Sequence, residues 1–114
     1  MPNPMKGEFD LVLGKEVYKC RLNIDALIKV ETELGKGIIQ LATEISQAKI
    51  TLFEITTVLY YAVRGGGKDV TKKDINNIVA THGIITVCTE VAKLLVATLS
   101  DAEAESEGKQ QAEA

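Results

Sequence analysis

Two runs near the start of the chain alternate apolar and polar residues with period two, EFDLVL over residues 8–13 and EVYKCRL over 16–22. That period belongs to half-buried strands. Gly14-Lys15 separates them, and glycine at the first central position of a two-residue loop suits a type II′ turn. The register then follows: Leu13 faces Glu16, Leu11 faces Tyr18 and Phe9 faces Cys20. The opposite face pairs Glu8 with Arg21 and Asp10 with Lys19, unlike charges that each add a few tenths to about 1 kcal/mol. A lone hairpin is marginal in water, so its Phe9/Leu11/Tyr18 face is expected to lie on helices.

Beyond residue 23 the apolar spacing changes to three and four, and the helix punctuation is clear. Asn23 is an N-cap, Asp25 favours the positive end of the dipole, and Gly35 is a left-handed stop. Helices are predicted over about 24–34, 37–47, 52–64, 72–82 and 84–100. Thr51-x-x-Glu54 opens the third as a capping box, and Thr71-x-x-Asp74 repeats the device at the fourth. Ile38, Leu41, Ala42 and Ile45 mark the second. Leu52, Ile55, Leu59 and Val63, with Ala62 alongside, form the expected core stripe of the third. Ile75, Ile78, Val79 and His82 share one side of the fourth, which Gly83 ends. The fold class is α+β, mostly helical: one domain over residues 1–100 with a two-stranded hairpin over residues 8–22, then about five helices. MPNPMKG is expected to be loose, and residues 101–114, with no large apolar residue, to be a disordered acidic tail.

The fifth helix carries two apolar stripes. Ile84, Val87, Cys88, Val91, Leu94 and Leu95 would dock it on the domain. Ile85, Thr89, Ala92, Val96 and Leu99 form a second at intervals of four and three. An amphipathic helix buries one side only, and two arrangements satisfy this breadth. Either the helix is central and wrapped by neighbours, or the second stripe faces another protein. Tyr60 and Tyr61, adjacent on one helix, cannot both point at one core. Tyr60, Tyr61, Ile85, Ala92, Val96 and Leu99 are therefore the candidate surface for a partner or for self-association.

Charge sharpens the division. Residues 101–114 carry net −4 and the whole 114-residue chain −3, leaving the body at +1. With two arginines and five aromatics, that body suits neither nucleic acid nor a charged membrane surface. The apolar stretch Gly83–Leu99 is broken by Glu90 and Lys93 and is shorter than the roughly 20 residues of a spanning helix. No basic leader precedes an apolar run, so a cytoplasmic protein is expected.

Little in the sequence points to chemistry. Cys20 and Cys88 lie far apart among apolar neighbours, and one histidine cannot build a zinc site. His82 stands before a helix-ending glycine, where an imidazole meets terminal carbonyls; no nucleophile or orienting acid accompanies it. Arg64-Gly-Gly-Gly-Lys68-Asp lacks the strand and spacing of a phosphate loop and reads as a flexible connector. Lys72–Lys73 reads as a solvated helix start, and Glu31, Glu33 and Glu44 as exposed helix faces. No enzyme activity, cofactor or metal is expected.

The order of parts nevertheless has a counterpart. FDLVLGKEVYKCRL, the step ELGKGI, the glycine-rich connector before a T-x-x-D cap and the apolar last helix resemble the small tail assembly chaperones of long-tailed phages, in the gene-transfer-agent form. The resemblance spans about Gly7 to Ser100. It implies a non-catalytic protein of the host cytoplasm that is not retained in the mature virion. Such a protein binds the tape-measure protein, helps recruit tail-tube subunits and often self-associates. It also implies two product lengths: Glu107-Gly108-Lys109 could be encoded by a slippery GAG GGA AAA, making this end the terminus of a short form, or the end is simply a solubilising tail. A virion piece, such as a head–tail connector or tail completion protein, is the alternative; a regulatory subunit of a host enzyme is a third.

Overall fold

In the structure, a computed structural model describing residues 7–113 with side chains described over 7–100, strands β1 (Glu8–Leu13) and β2 (Glu16–Arg21) pair antiparallel. Their register runs from Glu8 opposite Arg21 to Leu13 opposite Glu16, as the alternation predicts. Gly14 has φ +62°, the left-handed value that the first turn position demands. The expected loose segment over residues 1–6 lies outside the described residues.

Five helices follow: α1 (Ile24–Leu34), α2 (Ile38–Ser46), α3 (Leu52–Gly65), α4 (Lys72–His82) and α5 (Ile84–Glu113). The Asn23 side chain accepts from the Ala26 N–H at 2.8 Å. Gly35 closes α1 at φ +68°, its N–H donating to the Glu31 carbonyl. Both capping boxes form, Thr51 with Glu54 and Thr71 with Asp74. Each hydroxyl takes one otherwise orphaned amide, and each carboxylate takes the N–H of its own cap residue.

Leu11, Leu13 and Cys20 on the inner face of the hairpin are fully buried. They lie over α3 and α5, which supply Val58, Leu59, Val63, Val91, Leu94 and Leu95 to the same core. Removing a side chain of this size from water contributes roughly 1.5–3 kcal/mol. Ala26, Leu27 and Val30 of α1 close the core on one side, and Ile75 and Val79 of α4 on another. Two positions expected in the core stay outside it. Leu52 is 48% and Ile84 54% exposed, because each stands in the first turn of its helix, ahead of the residues that meet a neighbour.

The glycine-rich connector is also not the loose segment expected. A Cβ on Gly65 would stand 2.0 Å from the Arg21 carbonyl oxygen, and one on Gly66 2.0 Å from that of Lys19. These glycines let the end of α3 press against the β2 backbone. The connector is fastened further by Arg64 donating to the Val70 carbonyl at 3.2 Å and by Lys68 lying over the Tyr18 ring. At the other end of the chain, the backbone helix of α5 continues to Glu113, past the boundary expected near residue 100. No single helix among the described residues is long and apolar enough to cross a membrane; α4 and the following Ile84–Ser100 meet at 115°.

Candidate functional site

The second stripe of α5 lies open. Ile85 is 83% and Val96 63% exposed, Thr89 is exposed, and Ala92 and Leu99 are half-buried. Among the described residues the helix is therefore not wrapped on every side, and the rest of the chain leaves this stripe uncovered. Val87, Val91, Leu94 and Leu95 dock the opposite side.

The stripe forms one side of an apolar groove of about 800 Å³. Ile45 of α2, with Ala48 and Ile50 of the following loop, makes the facing wall. Ile55 and Cys88 also line it, and Lys93 is the charged lining residue. Ala48 turns the chain out of α2 towards α3 at φ +58°, a left-handed conformation that costs a non-glycine residue about 1–2 kcal/mol.

The α2 wall is short, and only Leu41 in it is fully buried. Polar contacts from other elements hold it in place. The Glu31 carboxylate on α1 accepts from the Ile38 N–H at 2.8 Å, capping α2, whose own N-cap, Gly37, has no side chain to do so. Lys36 pairs with Glu44 of α2 at 2.7 Å and with Glu54 of α3. Glu54 is buried, which raises its pKa, but hydrogen bonds from Lys36 and Thr51 outweigh this and hold it below the usual glutamate value. The ELGKGI step is therefore a junction: Gly35 ends one helix, Lys36 clasps two others, and Glu31 caps the next. Sequence reading assigned Glu31, Glu33 and Glu44 to plain exposed faces. Each instead holds a partner beyond the reach of i, i+4 spacing: Ile38 for Glu31, Lys36 for Glu44, and Tyr61 with Lys72 for Glu33.

Tyr60 and Tyr61 lie apart from the groove. The Tyr61 hydroxyl donates to Glu33 at 2.8 Å, and Lys72 of α4 donates to the same carboxylate at 3.1 Å. This holds Glu33 below its ordinary pKa, the tyrosine bond being the leading cause, and pushes Tyr61 up. Tyr60 meets Tyr61 edge-on at 5.1 Å, with Arg64 and Lys72 over its ring. Both rings are half-buried and pack against the core. The candidate surface thus divides: Ile85, Ala92 and Val96 share the groove, Leu99 does not line it, and the tyrosines belong to a polar tie among α1, α3 and α4.

Sequence reading missed a second depression of about 440 Å³, between the start of α3 and α4. Leu52, Phe53, Thr56, Val79 and Ile84 line it. Phe53 is 58% exposed. Ile84 lines both hollows. The signal was present in two adjacent apolar residues in the first turn of a capped helix, ahead of the residues that reach the core.

His82 packs against the hairpin turn, its Nε2 4.0 Å from Glu16 Oε2. Among the described residues, no cluster of three or more His, Cys, Asp and Glu could hold a metal ion. Cys20 is pushed up to about 12, chiefly by burial, which leaves its thiol unreactive.

The sequence model of a family described as "Phage tail tube protein, GTA-gp10" matches residues 6–101. Neither the curated proteins nor the solved structures gave a match.

Proposed function

The chain belongs to the family described as phage tail tube protein, GTA-gp10; we propose that within tail assembly it acts as a protein-binding chaperone rather than as an enzyme, a role that the family description does not itself name. Its partner in this reading is the tape-measure protein, which it keeps soluble in the cytoplasm of the bacterial host while tail-tube subunits are recruited. It then departs, and the finished particle does not contain it.

The observation that carries this reading is the open apolar groove between α2 and α5. A contiguous uncovered apolar surface is costly on a free protein and marks a place where another chain docks. A long helical protein awaiting assembly presents apolar faces of the kind such a groove covers, reversibly and without chemistry. Co-expression with the tape-measure protein of the same phage or gene transfer agent tests it. Its soluble yield should rise with this chain present; an unchanged yield defeats the proposal.

The family description favours a second reading, a subunit of the tube wall. A stacked tube needs two complementary faces that repeat from subunit to subunit. Mass spectrometry of purified particles separates the two: a wall subunit is present in many copies per particle, and a chaperone is scarce.

A further inference from the structure

The hairpin has one covered edge and one open edge, and we propose that the open edge, β1, pairs with β1 of a second copy of this chain. The inference stands on main-chain geometry and is independent of the chaperone reading above. The carbonyl oxygens of Lys19 and Arg21 leave β2 towards α3, each 2.0 Å from where a Cβ on Gly66 or Gly65 would stand. In an antiparallel ladder, residues whose main-chain groups leave one edge face partners whose groups leave the other. Those partners are Asp10 and Glu8, and Val12, two positions beyond Asp10, shares their direction. Asp10 and Val12 are exposed, and among the described residues no main-chain hydrogen bond reaches either from another element. The usual protections of an open edge are missing too. EFDLVL has no proline or lysine, and no bulge breaks its register with β2.

The strand's own pattern points to a second copy as the occupant. Antiparallel pairing about a two-fold axis at Leu11 sets Asp10 of each copy opposite Val12 of the other. Each such pair exchanges both of its outward main-chain hydrogen bonds. Across the joined sheet, Asp10 then stands between Lys19 of its own hairpin and Val12 of the second copy, with no carboxylate opposite it. On the inner face, half-buried Phe9 comes opposite Leu13 of the second copy. An axis at Asp10 would set two carboxylates face to face, which destabilises a pair. An axis at Val12 would run Asp10 against the turn at Gly14. Because α3 occupies the β2 edge, each copy has one edge to offer, and the pairing closes as a dimer instead of growing into a fibre. It uses no residue that lines the α2/α5 groove.

Sedimentation and amide exchange of the full chain at rising concentration test the pairing. Monomer should give way to dimer and to nothing larger, while exchange at the Asp10 and Val12 amides slows in step. The Leu11 amide, which bonds to β2, should be protected throughout. Val12 is 48% exposed, so charged substitutions there leave the monomer folded. Val12→Asp meets Asp10 twice across the axis and should weaken the dimer about tenfold; Val12→Lys, of opposite charge, should not weaken it. Equal weakening by both overturns the register. A chain that stays monomeric, or that dimerises while these two amides exchange as before, overturns the proposal. Slow exchange already present in the monomer would mean that the chain covers this edge itself, and slowing only on addition of tape-measure or tail-tube protein would make a foreign strand the occupant; either result overturns it.

Discussion

The carbonyl oxygen of Arg21 lies 2.0 Å from where a Cβ on Gly65 would stand, and Lys19 has the same relation to Gly66. A two-stranded sheet has two open edges, and the end of α3 covers the β2 edge by approaching as only glycine permits. An alanine at either position must move helix or strand, and overpacking of this kind costs about 1–3 kcal/mol or more. Gly35→Ala is the comparison: it meets nothing within 4 Å and pays only for its φ of +68°. Gly65→Ala and Gly66→Ala should each lower the urea midpoint more than Gly35→Ala. Equal losses would mean that close approach is not what these positions require.

That contact also marks the boundary of what the sequence could reveal. The hairpin register, the three capped helix starts and the Gly35 stop depend on residues within a few positions of one another, and local spacing exposes them. RGGGKD looks loose for the same reason, since the β2 carbonyls that require its glycines lie more than forty residues earlier. The Glu33–Tyr61–Lys72 tie and the Lys36–Glu44–Glu54 clasp are equally non-local. The α5 stripe was visible as a pattern, yet whether it faced core or water depended on where α2 lies in the fold. The first turn of α2 is held in turn by Glu31, a residue of a different helix.

Glu31 is therefore expected to control the groove wall. In Glu31→Ala the Ile38 N–H loses its acceptor, at a cost of about 1 kcal/mol, the ordinary value of a helix cap. The loss is local, because α2 contributes one fully buried side chain, Leu41, to the core. Hydrogen exchange should quicken at the amides of α2, while those of α3 and the docked part of α5 keep their protection. Uniform acceleration throughout the molecule would show that α2 and the core unfold as one unit.

Acid should weaken the fold, with a sign fixed by three carboxylates. Glu33, Glu54 and Asp74 are all held below their ordinary values: by the Tyr61 hydrogen bond at Glu33, by Lys36 and Thr51 against burial at Glu54, and by the Thr71 backbone at Asp74. A group whose folded pKa is depressed contributes stability that is present above its unfolded pKa and lost as pH falls through the folded one. Melting temperature should thus be flat near neutrality and decline below about pH 5. Glu54→Gln keeps an acceptor for the Thr51 N–H but loses the charge facing Lys36. It should be less stable at pH 7 and fall less steeply in acid. A parallel decline in both proteins would remove Glu54 from the account.

Val91 and Val96 are five positions apart on α5 and should respond oppositely to the same change. Val91 is fully buried, so Val91→Asp places a carboxylate without a partner in the core, a change that costs several kcal/mol or prevents folding. Val96 is 63% exposed on the groove side, so Val96→Asp should alter stability by no more than about 0.5 kcal/mol. It sets a charge in the apolar groove, and should abolish the gain in tape-measure solubility on co-expression. Circular dichroism melts and the soluble yield, measured on the same preparations, check the two halves together. A Val96→Asp protein that fails to fold would make the second stripe part of the core. One that folds and still solubilises its partner would place the binding surface elsewhere.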